Sequence, residues 1–150
     1  MSKPTAYLLD TNVVLFATRQ GGAQAQAIDQ QFGLRNSPFR PALSEVCVAE
    51  LLAFAQGWGD RRRKLLLEVI DEHVVLPIGR REIHEEWARL KSHARSKGLA
   101  IQHDHNDIWI AATARVAGLS VMSTDLAAFL PLRGMLALEL LDPKTGVRIP

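Results

Sequence analysis

The sequence predicts an α/β fold, a mostly parallel sheet of about five strands with helices over both faces. Three observations predict it. Short apolar runs alternate with longer stretches of helical periodicity along the chain. Two of those runs end in acid-bearing polar triplets, Asp10-Thr11-Asn12 and Ser123-Thr124-Asp125, where strands hand over to helices. The chain has 150 residues, 47% of them hydrophobic and 23% charged, enough for one full core and too apolar for disorder. Residues 1–150 are therefore expected to form one domain. In such folds ligands bind at the carboxyl ends of the strands.

Each element has its own signal. Ala6-Tyr7-Leu8-Leu9 reads as a buried strand ended by Asp10. A helix is expected over about Asn12–Arg19 and another over Ala23–Phe32, after Gly21-Gly22. Arg40–Leu43 is a second strand weakened by Pro41. Ser44 suits the N-cap of a helix over Glu45–Gln56, stopped by Gly57 and Gly59. Asp60 is expected to cap a helix to about Glu72. Val74-Val75-Leu76 is a third strand. Arg80–Lys97 is a long amphipathic helix with Ile83, Trp87 and Leu90 on one face, ended by Gly98. Asn106–Ala117 is an alanine-rich helix ended by Gly118. Leu119–Met122 is a fourth strand, Leu126–Leu130 a short helix and Leu136–Leu141 a fifth strand.

Composition removes several function classes. One cysteine permits neither an intrachain disulfide nor a cysteine-based zinc site. No segment approaches the roughly 18 consecutive apolar residues of a membrane span. Met1–Thr5 is short and polar and lacks the parts of a signal peptide. The expectation is a soluble cytoplasmic protein with no membrane partner. Lys plus Arg number 18 and Asp plus Glu 16, a net charge of +2 that permits nucleic acid as a partner without demanding it.

The candidate chemistry lies in four acids. Asp10 and Asp125 follow strands and should share one edge of a parallel sheet. Asp107 sits in the first turn of the alanine-rich helix. Glu50 lies about a turn and a half into the helix after the second strand, among Val46, Val48, Ala49, Leu51, Leu52 and Ala53. Asp10, Asp107 and Asp125 also suit helix starts, where a carboxylate caps free N–H groups. Gathered in one crevice, the four would repel unless a cation sat among them. With oxygen donors only, and Asn12 and Thr124 as neutral additions, the set suits a hard ion, Mg²⁺ or Mn²⁺.

These residues carry a family resemblance. Leu8-Leu9-Asp10-Thr11-Asn12-Val13 resembles the opening motif of PIN domains, in particular the VapC-type toxin ribonucleases. Ser44–Leu52 resembles the second motif, with its glutamate on Glu50. Asn106–Ala114 resembles the third, with its acid on Asp107, and Val121–Phe129 the last, with its acid on Asp125. The four occur in family order from residue 6 to residue 129. The resemblance implies a three-layer α/β/α sandwich and Mg²⁺- or Mn²⁺-dependent cleavage of RNA by activated water. It also implies a homodimer held inactive by a cognate antitoxin protein. Asp10, Glu50, Asp107 and Asp125 would be the metal ligands and catalytic set, for one or two ions, with Asn12 and Thr124 orienting water or ligands behind them. With these acids set aside, the rest of the chain is distinctly basic, which suits a polyanionic substrate. Ser123 receives no role from the resemblance.

Other features have simpler readings. His103-Asp104-His105 reads as a polar loop, or as an outer ligand or substrate contact. His73, His84 and His93 read as structural or solvent-facing. Cys47 reads as core. Trp58, between Gly57 and Gly59, reads as an exposed stacking or partner-binding residue, Trp87 as core or dimer interface, and Trp109 as packing beneath the site. Arg61, Arg62, Arg63 and Lys64 open a helix, where positive charge opposes the dipole; RNA phosphate contact would explain them. Two rival functions use the same acids. An aspartyl phosphotransfer protein on a doubly wound sheet would need a lysine near the last strands, and Lys144 lies past them. An inactive RNA- or antitoxin-binding module would not need all four acids.

Overall fold

A computed structural model describes residues 6–19, 22–97 and 105–150, of residue 105 the backbone only. Its elements follow one another as β1 (Tyr7–Leu9), α1 (Thr11–Phe16), α2 (Ala23–Phe32), β2 (Ala42–Ser44), α3 (Glu45–Phe54), α4 (Asp60–Asp71), β3 (Val74–Leu76), α5 (Arg81–Ser96), α6 (His105–Ala117), β4 (Ser120–Ser123), α7 (Leu126–Phe129) and β5 (Leu138–Leu140). The sheet order is β3-β2-β1-β4-β5, and every pairing is parallel.

Strand periodicity assigns neighbouring residues to opposite faces. Leu9, Leu43 and Met122 enter one core, beneath α1, α2, α3 and α4, with Val14, Phe16, Cys47, Leu51 and Leu66. Leu8, Ala42 and Val121 enter the other, beneath α5, α6 and α7, with Ile83, Leu90, Ile108, Ile110 and Phe129. Two cores with a sheet between them are the three-layer sandwich the sequence implies.

Several boundaries differ for local reasons. β2 begins after Pro41, which has no N–H to give the ladder. Ser44 caps α3 as expected, accepting the Val46 N–H at 3.3 Å. The cap of α4 is Gly59, with no side-chain bond; Asp60 is instead the first helical residue. Gly118, at φ +70°, lets the chain leave α6 in the left-handed region and enter β4. Gly98, Gly21, His103 and Asp104 lie outside the described residues.

The topology orients the acids. α6 runs into the start of β4, so its own start overhangs the carboxyl edge of the sheet. The hydroxyls of Ser44 and Thr113 lie 3.4 Å apart, tying the middle of α6 to the end of β2. Asp107 precedes Thr113 by six residues, about 9 Å of helix rise beyond that edge.

Candidate active site

β1 and β4 pair with Leu9 opposite Met122, so Asp10 and Ser123 are the next residues on adjacent strands. The Asp10 N–H continues the ladder to the Met122 carbonyl at 2.9 Å. Asp10 is 4% exposed and caps α1, accepting the Thr11 N–H on Oδ1 at 2.8 Å. Its Oδ2 accepts the Ser123 hydroxyl at 2.6 Å. Ser123 Oγ in turn accepts the Asp125 N–H at 2.9 Å, and Asp125 Oδ1 caps α7 through the Ala128 N–H at 3.1 Å. On the other side, the Thr11 hydroxyl donates to Glu50 Oε1 at 3.1 Å. Bonds through two hydroxyl residues therefore link Glu50, Asp10 and Asp125, which come from three separate stretches of sequence.

Thr11 and Ser123, which sequence reasoning left without a role, are the residues that join the candidate acids. Ser123 becomes legible only with the register of β1 against β4. Thr11 had a weaker signal, its place beside Asp10 in a strand-end triplet.

Burial pushes the Asp10 carboxyl above its ordinary value, and the nearby Asp125 charge pushes it further. Bonds from Ser123 and Thr11 oppose this without cancelling it. Among the described residues Asp10 forms no ion pair. A buried carboxylate with hydroxyl and amide partners, facing a second carboxylate, is short of positive charge. The oxygen donors fit a hard divalent cation. Among the described residues no three His, Cys, Asp or Glu side chains converge closely enough to hold an ion alone. A cation there would be held by one or two carboxylates, with water and substrate completing its shell.

A model of the PIN domain matches residues 7–129, the span that holds all four acids. The chain belongs to the PIN-domain family. This PIN domain is 32% identical over 126 residues to Ribonuclease VapC5 of Mycobacterium tuberculosis, covering 81% of this chain and 84% of that protein. Among solved structures it resembles VapBC-5 of the VapBC toxin-antitoxin family from Mycobacterium tuberculosis, with a TM-score of 0.64 and 28% identity over 91% of this chain and 98% of that one. It also shares the fold of VapBC2 from Rickettsia felis bound to promoter DNA, with a TM-score of 0.76 and 19% identity over 92% of this chain and 100% of that one.

The remaining expected residues sort by place. Glu50 and Asp107 are half-buried, Asn12 is exposed on α1, and Thr124 is buried beside Asp125. Cys47 is core, as expected; burial pushes its thiol up to about 12. Trp109 stacks on Trp87 with ring centroids 5.5 Å apart, and both are half-buried against the α5–α6 core. Trp58 is half-buried, with the Arg62 guanidinium over its ring, so the bare exposed ring expected from sequence is absent. Arg63 turns inward and donates to the carbonyls of Ala55, Gln56 and Trp58 at 3.2–3.3 Å, whereas Arg61 and Lys64 are exposed. His105 opens α6. Lys144, the lysine a phosphotransfer reading would need, lies in an exposed turn four residues past the end of β5. No helix among the described residues is long and apolar enough to cross a membrane.

Proposed function

We propose that this chain is a metal-dependent endoribonuclease, the toxin of a type II toxin–antitoxin pair, in which Asp10, Glu50, Asp107 and Asp125 bind Mg²⁺ or Mn²⁺, one or two of them directly and the others through water. The observation that carries the proposal is Asp10, buried beside Asp125 with hydroxyl and amide partners and no cation of its own. When bound, the ion supplies acidified water and relieves negative charge at the phosphorus under attack. The protein's own part is positional. Ser123 fixes one Asp10 oxygen and Thr11 the other, which aims the remaining lone pairs into the crevice. The Thr11 hydroxyl holds Glu50 to the same cluster. Asp107 approaches from the overhanging start of α6. Asn12 and Thr124 border the acids and orient water. Arg61, Arg62 and Lys64 contact the RNA, while Arg63 steadies the turn beneath them.

The partners follow from the relatives. VapBC structures are toxin–antitoxin complexes, and a cognate antitoxin and a second copy of this chain are the partners proposed here. The cytoplasm, where RNA is met, is the proposed compartment. The test is cleavage of RNA by purified protein in Mg²⁺, Mn²⁺ or EDTA, beside Asp10→Asn. Metal-dependent cleavage that the substitution removes is expected. Cleavage that survives both EDTA and Asp10→Asn would overturn the assignment. Expression without the antitoxin should arrest growth of the host, and Asp10→Asn should relieve the arrest.

A further inference from the structure

Two helical paths lead away from the acids and end at one place. α1 is capped by Asp10 and the chain runs on past its end to Arg19, and α3 carries Glu50 and continues through a tight turn to Trp58. At their end lies a groove of about 990 Å³ whose charged lining is Arg19, Arg61, Arg62 and Lys64 against Asp60 and Glu68.

Arg62 is arranged in an unusual way there. Its guanidinium carbon sits 3.7 Å from the Trp58 ring centroid, the separation of two flat groups lying face to face. Trp58 cannot readily shift. It packs against the core beneath, and Arg63 ties its carbonyl and those of Ala55 and Gln56 together. Arg62 itself is exposed and forms no ion pair among the described residues. The guanidinium lies over the ring, and because Arg62 is exposed its far side is open to solvent. A lone phosphate contact would need no such backing, because a mobile side chain serves as well. A fixed, flat cation over an indole is the surface on which a nucleobase stacks.

We infer that the outer face of Arg62, backed by Trp58, stacks an unpaired base of the RNA substrate, while Arg19, Arg61 and Lys64 hold the flanking phosphates. The inference rests on the ribonuclease reading and adds to it the residues that hold a substrate base. A base inside a duplex already has both faces stacked, so the platform selects single strands and loops over helical RNA.

The test uses the full-length chain carrying Asp10→Asn, which holds RNA uncut, and labelled single-stranded and duplex oligoribonucleotides in an anisotropy titration. Arg62→Lys keeps the charge and removes the flat face. It should weaken single-strand binding roughly tenfold, leave duplex binding nearly unchanged, and relieve quenching of Trp58 fluorescence by RNA. In the otherwise native chain the same change should raise KM for single-stranded RNA more than it lowers kcat. Trp58→Phe, which keeps a smaller ring, should give a lesser loss, and circular dichroism should show both variants folded. Arg62→Lys binding single strands as tightly as its parent would overturn the inference, leaving charge as the whole effect. So would a loss confined to binding a partner protein. Failure of the wild type to cleave RNA, together with failure of the Asp10→Asn chain to bind it, would overturn the ribonuclease reading and the inference with it. Retained cleavage with an unaffected Arg62→Lys would remove the inference alone.

Discussion

Glu86 and Asp10 are buried to nearly the same degree, 6% and 4% exposed, yet their surroundings are opposite in kind. Glu86, on α5, is ion-paired with Arg89 one turn along and with Arg115 on α6. Its charge is balanced by the chain itself, and the result is a clamp between two helices. Asp10 has hydroxyl and amide partners, with Asp125 as its charged neighbour. The fold thus neutralises a buried acid where the acid only holds structure together. At the sheet edge the balancing charge is left to come from outside. That difference is what separates a structural carboxylate from one reserved for a ligand.

The largest break in this comparison is Asp10→Asn. It should lower RNA cleavage by more than about a hundredfold, beyond the loss usual for residues that merely support a metal ligand. The same substitution should make the metal-free protein more stable at neutral pH. A carboxyl whose value is raised on folding favours the fold only while protonated. Its contribution is whole below the ordinary value of 3.8 and is lost as pH rises through the raised one. Melting temperature against pH, in chelator, should therefore give curves for wild type and Asp10→Asn that meet in acid and part toward neutrality, with Asn the higher. A lower Asn curve at neutral pH would refute the idea that Asp10 lacks compensation.

Glu86→Gln should act the other way round. Removing the double ion pair should cost about 2 kcal/mol in urea unfolding, with cleavage below the melting transition unchanged. A loss of cleavage without a loss of stability would mean that the α5–α6 clamp belongs to the site. Ser123→Ala should have the smallest effect, about a tenfold slower reaction. It removes a bond that favours the charged Asp10, so the acidic limb of the pH–rate profile should move to higher pH. Ser123→Thr, which restores the hydroxyl, should recover most of the rate.

The strands, and the gathering of Asp10, Glu50 and Asp125, were legible because each announces itself locally. Apolar runs stop at Asp10 and before Asp125, and Glu50 interrupts an apolar helix. Ser123 was not legible, since its value lies in standing beside Asp10, a fact of pairing between strands 113 residues apart. The covering of Trp58 by Arg62 likewise depends on how a turn folds back onto the next helix. Asp60 entered the first turn of α4 instead of capping it, a place where its charge still meets the helix dipole favourably. Glu86 received no reading from the sequence. Only the docking of α6, with Arg115, turns that position inward.

The central claim is that the Asp10 crevice takes its missing positive charge from a divalent cation. A calorimetric titration of Mn²⁺ into metal-free wild type and Asp10→Asn at neutral pH tests it most directly. Saturable binding to the wild type that Asp10→Asn abolishes is the predicted result. Equal binding by both proteins, or no binding by either, would contradict it.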